Sequence, residues 1–410
     1  MTKERIFSAA ETWSEYFLYG IVFFTPLGHA GAFICLGFLG LCFAVRKILR
    51  PDFTFLKGSE CLWLLLFFLF CGLSLINSGP YLQKSLWALL FKWGGYLVVF
   101  LFFREAMTDP IKRKRIGWVI LATAAIIGID SLVQFFTGTD LFYARPILEA
   151  PYYQAITATF KNYNDLASYL GVVTLIALAM TVAATQKLRW ILWVLTMTLE
   201  ACFLLTFSRG AWLGFFAGLL LMVIISRQWK ALLPVIILAI VAISLNASLA
   251  MRIISSLSLT ISQQAGDHGG RSELWNVAFQ MIRENPFLGK GLGTFMDYCG
   301  QRVPLGYGNY AHNCYLQIWA ESGIFSLVAF LSFVGIVLGK ALKAFKRKRE
   351  PLLLGLLCGI FAFLIHSSLD TQLYSVSQSF LFWSMLGVLA AAAQDVPVSP
   401  ITDRSGPPLS

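Results

Sequence analysis

Long apolar stretches are the feature that most constrains how this chain can fold. They recur along almost all of its 410 residues. Each is long enough to cross a hydrocarbon core of about 30 Å as a helix that rises about 1.5 Å per residue. The chain is 58% hydrophobic and only 13% charged, whereas soluble domains carry about 25% charge. These proportions exclude a soluble globular fold and predict an all-α polytopic membrane protein.

Hydropathy predicts about twelve membrane-spanning helices in a single domain over residues 1–393. The predicted spans are 13–28, 31–49, 60–77, 84–104, 116–136, 164–185, 188–207, 210–226, 231–249, 313–342, 351–369 and 374–393. A short segment with Pro and Gly separates the first two spans, which predicts a tight helical hairpin. Residues 394–410 are rich in Pro, Ser and Gly and are predicted to form a disordered cytoplasmic tail.

The distribution of positive charge predicts which side of the membrane each loop occupies. Most of the 32 Lys and Arg residues fall in alternate loops, including the dense cluster at 340–349. Under the positive-inside rule, those loops and both termini are cytoplasmic. Membrane orientation therefore explains the net charge of +11, and no nucleic-acid partner is expected.

Three polar segments then lie together on the opposite side of the membrane. They are residues 137–163, the break at 208–210 and the long segment 250–312. Within the last of these, residues 272–282 repeat apolar side chains at helical spacing, which predicts an amphipathic helix on the membrane surface. Chemistry that needs polar groups is expected on this face.

Arg209, Arg271 and His312 are the strongest candidates for function on this face. Arg209 separates two apolar runs, and an arginine in that position costs roughly 3 kcal/mol unless it reaches lipid headgroups or binds an anion. Arg271 begins the predicted surface helix, and His312 immediately precedes the span 313–342. A histidine there can be a hydrogen-bonded structural residue or a general base. The coincidence of all three on one face favours an anion-binding catalytic site.

Further polar residues near the same face are weaker candidates for substrate binding. They are Arg145, Lys161, Asn164, Asp165, Asn313, His366 and Asp370. Residues 162–165 can equally cap a helix. His366 and Asp370 are one helical turn apart, so they can hydrogen-bond each other or line the site.

No metal or organic cofactor is expected. The outer segments contain no Asp-x-Asp pair and no His/Cys cluster of the kind that binds a catalytic metal. Residues 289–293 imitate a glycine-rich nucleotide loop, but they follow no predicted strand and are interpreted as a turn. The eight cysteines form no C-x-x-C pair. Cys299 and Cys314 lie near the outer loop and could form a disulfide in an oxidising compartment.

Four short motifs follow one another along the second half of the chain. They are Arg-x-x-x-Leu at 209–213, Gly-Arg-Ser-Glu-Leu-Trp at 270–275, the Gly-rich stretch 285–295, and His-Asn at 312–313 followed by nine residues and Gly323. Together they resemble the O-antigen ligase family, whose superfamily also contains O-antigen polymerases and protein O-oligosaccharyltransferases. Residues 162–167 and 366–370 also look like family positions. A polymerase-type pattern of Arg, ten residues and Gly does not occur in the outer loops, which favours a ligase.

The resemblance implies a membrane glycosyltransferase, similar to the GT-C type, in the bacterial inner membrane with its active site facing the periplasm. The implied reaction transfers a glycan from undecaprenyl pyrophosphate to a hydroxyl of the lipid A–core oligosaccharide, without a metal and with inversion. Arg209 and Arg271 would bind the pyrophosphate, and His312 would accept the proton of the hydroxyl. The residues that would contact or orient substrates are Asn313, Asn164, Asp165, Lys161, Arg145 and Asp370.

Other functions remain open at this point. An O-antigen polymerase would use the same donor with a second lipid-linked glycan as acceptor, and a protein O-oligosaccharyltransferase would use a Ser or Thr of a protein. A transporter of an anionic lipid would instead need charged residues along a path through the membrane and two related halves. The charges of this chain crowd one face and its halves are unlike, which favours the enzyme.

Overall fold

The computed structural model describes residues 2–150, 153–229, 232–245, 251, 271–302 and 310–394, which are mainly helical. The helices are α1 (Lys3–Leu27), α2 (His29–Leu49), α3 (Ser59–Leu73), α4 (Leu82–Trp87), α5 (Gly94–Ala106), α6 (Pro110–Thr137), α7 (Tyr163–Ala183), α8 (Gln186–Leu204), α9 (Arg209–Ser226), α10 (Leu232–Leu245), α11 (Arg271–Glu284), α12 (Phe295–Arg302), α13 (Cys314–Lys348), α14 (Pro351–His366) and α15 (Val376–Ala392). A π-helical turn, Ala88–Trp93, joins α4 to α5. Strands β1 (Leu148–Ala150) and β2 (Tyr153–Ala155) form a short antiparallel pair.

The helical content and apolar character confirm the all-α polytopic membrane class. Within the described ranges, seven helices are long and apolar enough to cross a membrane. Three shorter apolar helices are Leu233–Ala242, Pro351–His366 and Val376–Ala392. Every predicted span overlaps a helix, and the number of helices that cross the membrane stays a prediction.

The predicted hairpin at the N-terminal end is confirmed. Only Gly28 separates α1 from α2, and the two helices pack against each other. α1 begins at Lys3 instead of residue 13. Its polar first half can remain helical because it pairs with α6, where Arg115 contacts Glu15 at 2.9 Å.

α7 lies at the centre of the bundle. Its residues from Leu166 to Ala179 are all buried, and it packs against α8, α9 and α14. From Leu166 onwards its sequence has no charged residue and many small ones, which suits a helix with protein on every side. The start of α7, with Asn164 and Asp165, therefore lies at one end of the core.

α9 and α14 approach each other backbone to backbone. Gly210, Gly214 and Gly218 lie one turn apart on the face of α9 that meets α14. A Cβ atom at Gly214 would lie 2.5 Å from the carbonyl oxygen of Ala362, and one at Gly218 would lie 2.7 Å from that of Cys358. Such contact is typical of small-residue stripes between membrane helices. It fixes the start of α9 next to the end of α14.

α13 is interrupted at Gly323, whose backbone (φ 83°, ψ 170°) is not helical. Residues 286–288 reach into this break. The N–H of Ile324 donates to the carbonyl oxygen of Pro286 (3.0 Å), and a Cβ atom at Gly323 would overlap the carbonyl oxygen of Phe287. The predicted span 313–342 is therefore correct in position, but it consists of two helical segments.

The predicted amphipathic helix is present as α11. Its apolar side chains Leu274, Val277 and Met281 are buried in a small cluster that includes Leu316 of α13. The sequence predicts this helix on the membrane surface, whereas in the structure neighbouring helices cover its apolar face.

Some predictions fall on residues that the structure does not describe. They concern the part of segment 250–312 between 252 and 270, residues 303–309, and the tail from 395 onwards. Cys299 and Cys314 are described, and both are free and buried. The disulfide considered from the sequence is therefore not formed.

Candidate active site

A cavity of about 240 Å³ lies where α7 and α9 begin and α14 ends. Its lining includes five of the residues singled out from the sequence, namely Asn164, Arg209, Arg271, His366 and Asp370. The other lining residues are Tyr163, Ser208, Gly210, Leu213 and Leu369. Residues from four distant parts of the sequence therefore meet in one polar site.

The cavity is suited to binding an anion. Arg209 is the first residue of α9, and Tyr163 on the cavity wall is the first residue of α7. Ser208 Oγ donates to Oδ1 of Asn164 (2.7 Å) and joins the two helix starts. Helix N-termini present backbone N–H groups and a positive dipole. Arg209 and Arg271 are exposed and add two guanidinium groups, which bind phosphate well.

His312 lies at the edge of this cavity through its contact with Asp370. Nδ1 of His312 is 2.9 Å from Oδ1 of Asp370. The same carboxylate accepts from the N–H of Thr371 (2.8 Å) and from Nε2 of Gln372 (3.2 Å). Burial acts to raise the pKa of the Asp370 carboxyl. The hydrogen bond from His312 and the other donors outweigh burial and leave this pKa below its usual value.

The ionised Asp370 determines which nitrogen of a neutral His312 carries the proton. A carboxylate only accepts hydrogen bonds, so Nδ1 must be the protonated nitrogen and Nε2 is left with a free lone pair. The His312 side chain is 34% exposed, whereas that of Asp370 is 8% exposed. The pair therefore has the arrangement of a general base oriented by a buried carboxylate.

Asn313 and Asp165 have structural partners. Oδ1 of Asn313 accepts from the N–H groups of Tyr315 (3.1 Å) and Leu316 (3.0 Å) and caps α13. Oδ2 of Asp165 accepts from Ser375 Oγ (2.9 Å), which ties α7 to the start of α15. Neither residue lines the cavity, and their predicted contacts with substrate stay predictions.

Arg145 and Lys161 lie apart from the cavity lining. The Arg145 guanidinium donates to the carbonyl oxygen of Thr159 and stacks on the ring of Tyr143 at 4.3 Å. Arg145 and Lys161 both lie within electrostatic range of His29 at the start of α2. Both cations thus lie near the start of α2 and outside the cavity lining.

His366 lines the cavity and is not the partner of Asp370. The sequence left both possibilities open, and the structure pairs Asp370 with His312 instead. His366 is 2% exposed, and its Nδ1 has no hydrogen-bond partner among the residues described. Its ring packs against Gly210 at the start of α9, so that it forms part of the cavity wall.

Sequence reasoning assigned no role next to His312 to three residues around it. Trp275 and Gln317 bond to the backbone of Ala311, and Glu321 bonds to Gln317. Gln317 and Glu321 are one helical turn apart within an apolar run. Two polar residues at this spacing were the sequence signal that could have indicated a buried hydrogen bond. Across the described ranges, no group of three His, Cys, Asp or Glu residues could bind a metal. Independence from metals stays a prediction.

Comparison with known proteins connects this geometry to a family. Residues 194–331 match the family model described as O-Antigen ligase. The O-antigen ligase of Salmonella typhimurium is 28% identical over 159 residues, which cover 35% of this chain and 38% of the relative. The O-antigen ligase of Pseudomonas aeruginosa is 25% identical over 291 residues, with 68% and 61% covered. The chain thus spans less than two thirds of either ligase.

A third relative matches over more of its length. The teichuronic acid biosynthesis protein TuaE of Bacillus subtilis is 25% identical over 430 aligned residues, which cover 95% of this chain and 85% of the relative. The segment that matches the family model contains Arg209, Arg271 and His312. The family resemblance derived from the sequence motifs is confirmed.

Proposed function

Because this chain carries the O-antigen ligase domain, we propose that it transfers a glycan from undecaprenyl pyrophosphate to a hydroxyl of the lipid A–core oligosaccharide. The reaction takes place at the periplasmic face of the bacterial inner membrane. Arg209, Arg271 and His312 carry it out, and Asp370 positions His312. No metal or organic cofactor takes part.

One observation carries this proposal, the contact between an anion-binding cavity and an oriented histidine. Arg209 and Arg271 line the cavity together with the starts of α7 and α9. The pyrophosphate of the donor binds there through charge-assisted hydrogen bonds. Negative charge grows on the leaving phosphate oxygen as its bond to the sugar breaks. The same groups stabilise that charge in the transition state.

The chemical step is a single displacement. Nε2 of His312 accepts the proton of the acceptor hydroxyl, and the hydroxyl oxygen forms a bond to the anomeric carbon of the donor. The bond from that carbon to the phosphate oxygen breaks, and the electron pair leaves with the pyrophosphate. Attack from the opposite side inverts the anomeric configuration. The Asp370 carboxylate stabilises the imidazolium that forms, because it is bonded to Nδ1.

The orientation of α13 supports a site on the periplasmic side. His312 lies just before the first residue of this helix, and the basic cluster Lys346–Lys348 lies in its last turn. Under the positive-inside rule that cluster is cytoplasmic. The His312 end of the same helix is therefore at the opposite face.

A second candidate is elongation of a polysaccharide. The match to TuaE covers 95% of this chain, more than the match to either O-antigen ligase does, and its name refers to teichuronic acid biosynthesis. A polymerase would use the same lipid-linked donor, the same cavity and the same base, with another lipid-linked glycan as acceptor.

An acceptor competition distinguishes the two reactions. Purified protein receives a polyprenyl-pyrophosphate glycan with a fluorescent label, together with lipid A–core and EDTA. We expect label on the lipid A–core in the presence of EDTA. Elongation of the lipid-linked glycan without transfer to lipid A–core would favour the polymerase. Failure to move the glycan to either acceptor would contradict a transferase.

A further inference from the structure

We infer that Gln317 and Glu321 are positioning residues that hold His312 in its catalytic orientation. They act through the backbone of Ala311. This inference rests on the proposed function and adds to it two residues that touch neither substrate nor the reacting atoms.

The backbone of His312 needs such support. Its φ of 48° lies in the left-handed region, which residues with a side chain seldom adopt. A strained conformation of this kind persists only where the surroundings determine it, and it is frequent at active sites. Bonds to the neighbouring residue are therefore expected to control where the imidazole lies.

Ala311 is fixed on both sides by side chains from two different helices. Its N–H donates to Oε1 of Gln317 on α13 (3.0 Å). Its carbonyl oxygen accepts from Nε1 of Trp275 on α11 (2.9 Å). Ala311 and Gln317 are both 0% exposed, so water cannot replace these bonds. Both backbone polar groups of Ala311, the residue before His312, are thus satisfied by side chains.

Glu321 decides which way the amide of Gln317 faces. Nε2 of Gln317 donates to Oε1 of Glu321 (3.2 Å). The same carboxylate also accepts from the N–H groups of Gly293 (2.9 Å) and Phe295 (3.1 Å) and from the hydroxyl of Tyr374 (3.0 Å). A carboxylate oxygen that accepts hydrogen bonds pairs with the amide nitrogen of Gln317, and the N–H of Ala311 can only donate, so it needs the amide oxygen. The amide oxygen of Gln317 is consequently directed at Ala311.

This arrangement gives the glycine-rich motif at 289–293 a role. Gly293 has φ 77°, a value that glycine adopts without cost, and its N–H meets the Glu321 carboxylate. The N–H of Gly291 donates to the carbonyl oxygen of Glu321 (2.9 Å). The turn anticipated from the sequence therefore anchors Glu321, which orients Gln317, which in turn holds Ala311.

The test is a double-mutant cycle between Gln317→Leu and His312→Ala in the transfer assay. Gln317→Leu keeps the side chain's approximate size and removes the acceptor for Ala311. We expect its kcat to fall on the order of 10²-fold, because a small displacement of a catalytic group has that effect. The KM for the donor should stay near wild type, since Arg209 and Arg271 are unchanged.

The second arm of the cycle separates positioning from a general structural role. If Gln317 acts through His312, Gln317→Leu causes no further loss of the residual transfer in the His312→Ala background. This residual transfer is followed over long incubations with the labelled donor. An equal loss in both backgrounds, or a rise in the donor KM, would overturn the inference.

Trp319→Phe is the matched control. Trp319 lies on the same helix, and its Nε1 donates to the carbonyl oxygen of Pro286 (3.0 Å) and not to Ala311. We expect this variant to retain kcat.

Glu321→Gln is a second probe, because it keeps the size of Glu321 but no longer orients the Gln317 amide. We expect Glu321→Gln to lower kcat less than Gln317→Leu does. Wild-type kcat in both Glu321→Gln and Gln317→Leu would overturn the inference. Absence of transfer by the wild type would instead contradict the proposed function.

Discussion

At the scale of single residues, Asp370 has the most specific role that the structure assigns near the cavity. It is almost fully buried and receives hydrogen bonds from His312, Thr371 and Gln372. Its lowered pKa keeps it ionised at neutral pH. A negative charge in this place fixes the tautomer of His312, and in the proposed reaction it stabilises the imidazolium during transfer.

Asp370→Asn should therefore lower kcat on the order of 10²-fold or more. The amide of Asn can donate to Nδ1 of His312, which favours the tautomer with the proton on Nε2 and removes the base. The measurement is the transfer rate at saturating donor. Asp297→Asn is the control, because Asp297 pairs with Lys84 near the surface at 2.5 Å, and such pairs contribute little. Unchanged kcat in Asp370→Asn would contradict the role of the carboxylate.

The residue scale also shows what the sequence could predict about the site. Arg209 and His312 stand out because a charged or polar side chain next to a long apolar run costs free energy unless it has a partner. The pairing of His312 with Asp370 could not be read from spacing, since these residues are far apart in sequence and His366 is one turn from Asp370. Only the packing of α13 against the end of α14 decides between the two histidines.

At the scale of elements, the contact between α9 and α14 positions the two sides of the cavity. Arg209 begins α9, while His366 ends α14 and Asp370 follows shortly after it. The glycine stripe of α9 brings the two helix backbones together. Small residues at four-residue spacing are visible in the sequence, but their partner helix is not.

Gly214→Ala should separate α9 from α14 and lower both thermal stability and transfer. The new Cβ atom would meet the carbonyl oxygen of Ala362 at 2.5 Å, so the helices must move apart. Gly335→Ala on α13 is the matched control, because its Cβ would meet nothing within 4 Å. It should raise stability by up to about 1 kcal/mol through helix propensity. The measurement is Tm in detergent with the transfer rate. Equal Tm shifts of the same sign in Gly214→Ala and Gly335→Ala would contradict the close contact between α9 and α14.

Elements also show where hydropathy fails as a predictor. Hydropathy detects an apolar run over 313–342 but not the break inside it. The break at Gly323 exists because residues 286–288, from a different part of the chain, bond to the free backbone groups there. A tertiary contact of this kind leaves no periodic signal in the sequence.

At the scale of the whole molecule, the cavity and the basic loops are predicted to lie on opposite membrane faces. The segment around Phe142 precedes α7 on the cavity side, and Lys187 lies in the first turn of α8, next to the other end of α7. Hydropathy and charge predict this arrangement, because both are summed over many residues and single errors average out; the orientation stays a prediction. The sequence could not predict which helices pack against each other, because that depends on single contacts between residues far apart in the chain.

Cysteine labelling tests this topology. Phe142→Cys and Lys187→Cys place a thiol at exposed positions, and the wild type gives the background from native cysteines. A membrane-impermeant maleimide applied to spheroplasts should label residue 142 and not residue 187. In lysed cells both residues should be labelled. Labelling of residue 187 alone in intact spheroplasts would invert the orientation and contradict a periplasmic site.

The most direct test of the central claim compares His312→Ala with His29→Ala in the transfer of a labelled glycan from a polyprenyl pyrophosphate to lipid A–core. His29 is the matched control, since it is exposed and hydrogen-bonds Ser377 (3.2 Å) without lining the cavity. We predict that His312→Ala loses transfer on the order of 10²-fold or more with an unchanged Tm, while His29→Ala transfers at close to the wild-type rate. Transfer at the wild-type rate by folded His312→Ala would contradict the account.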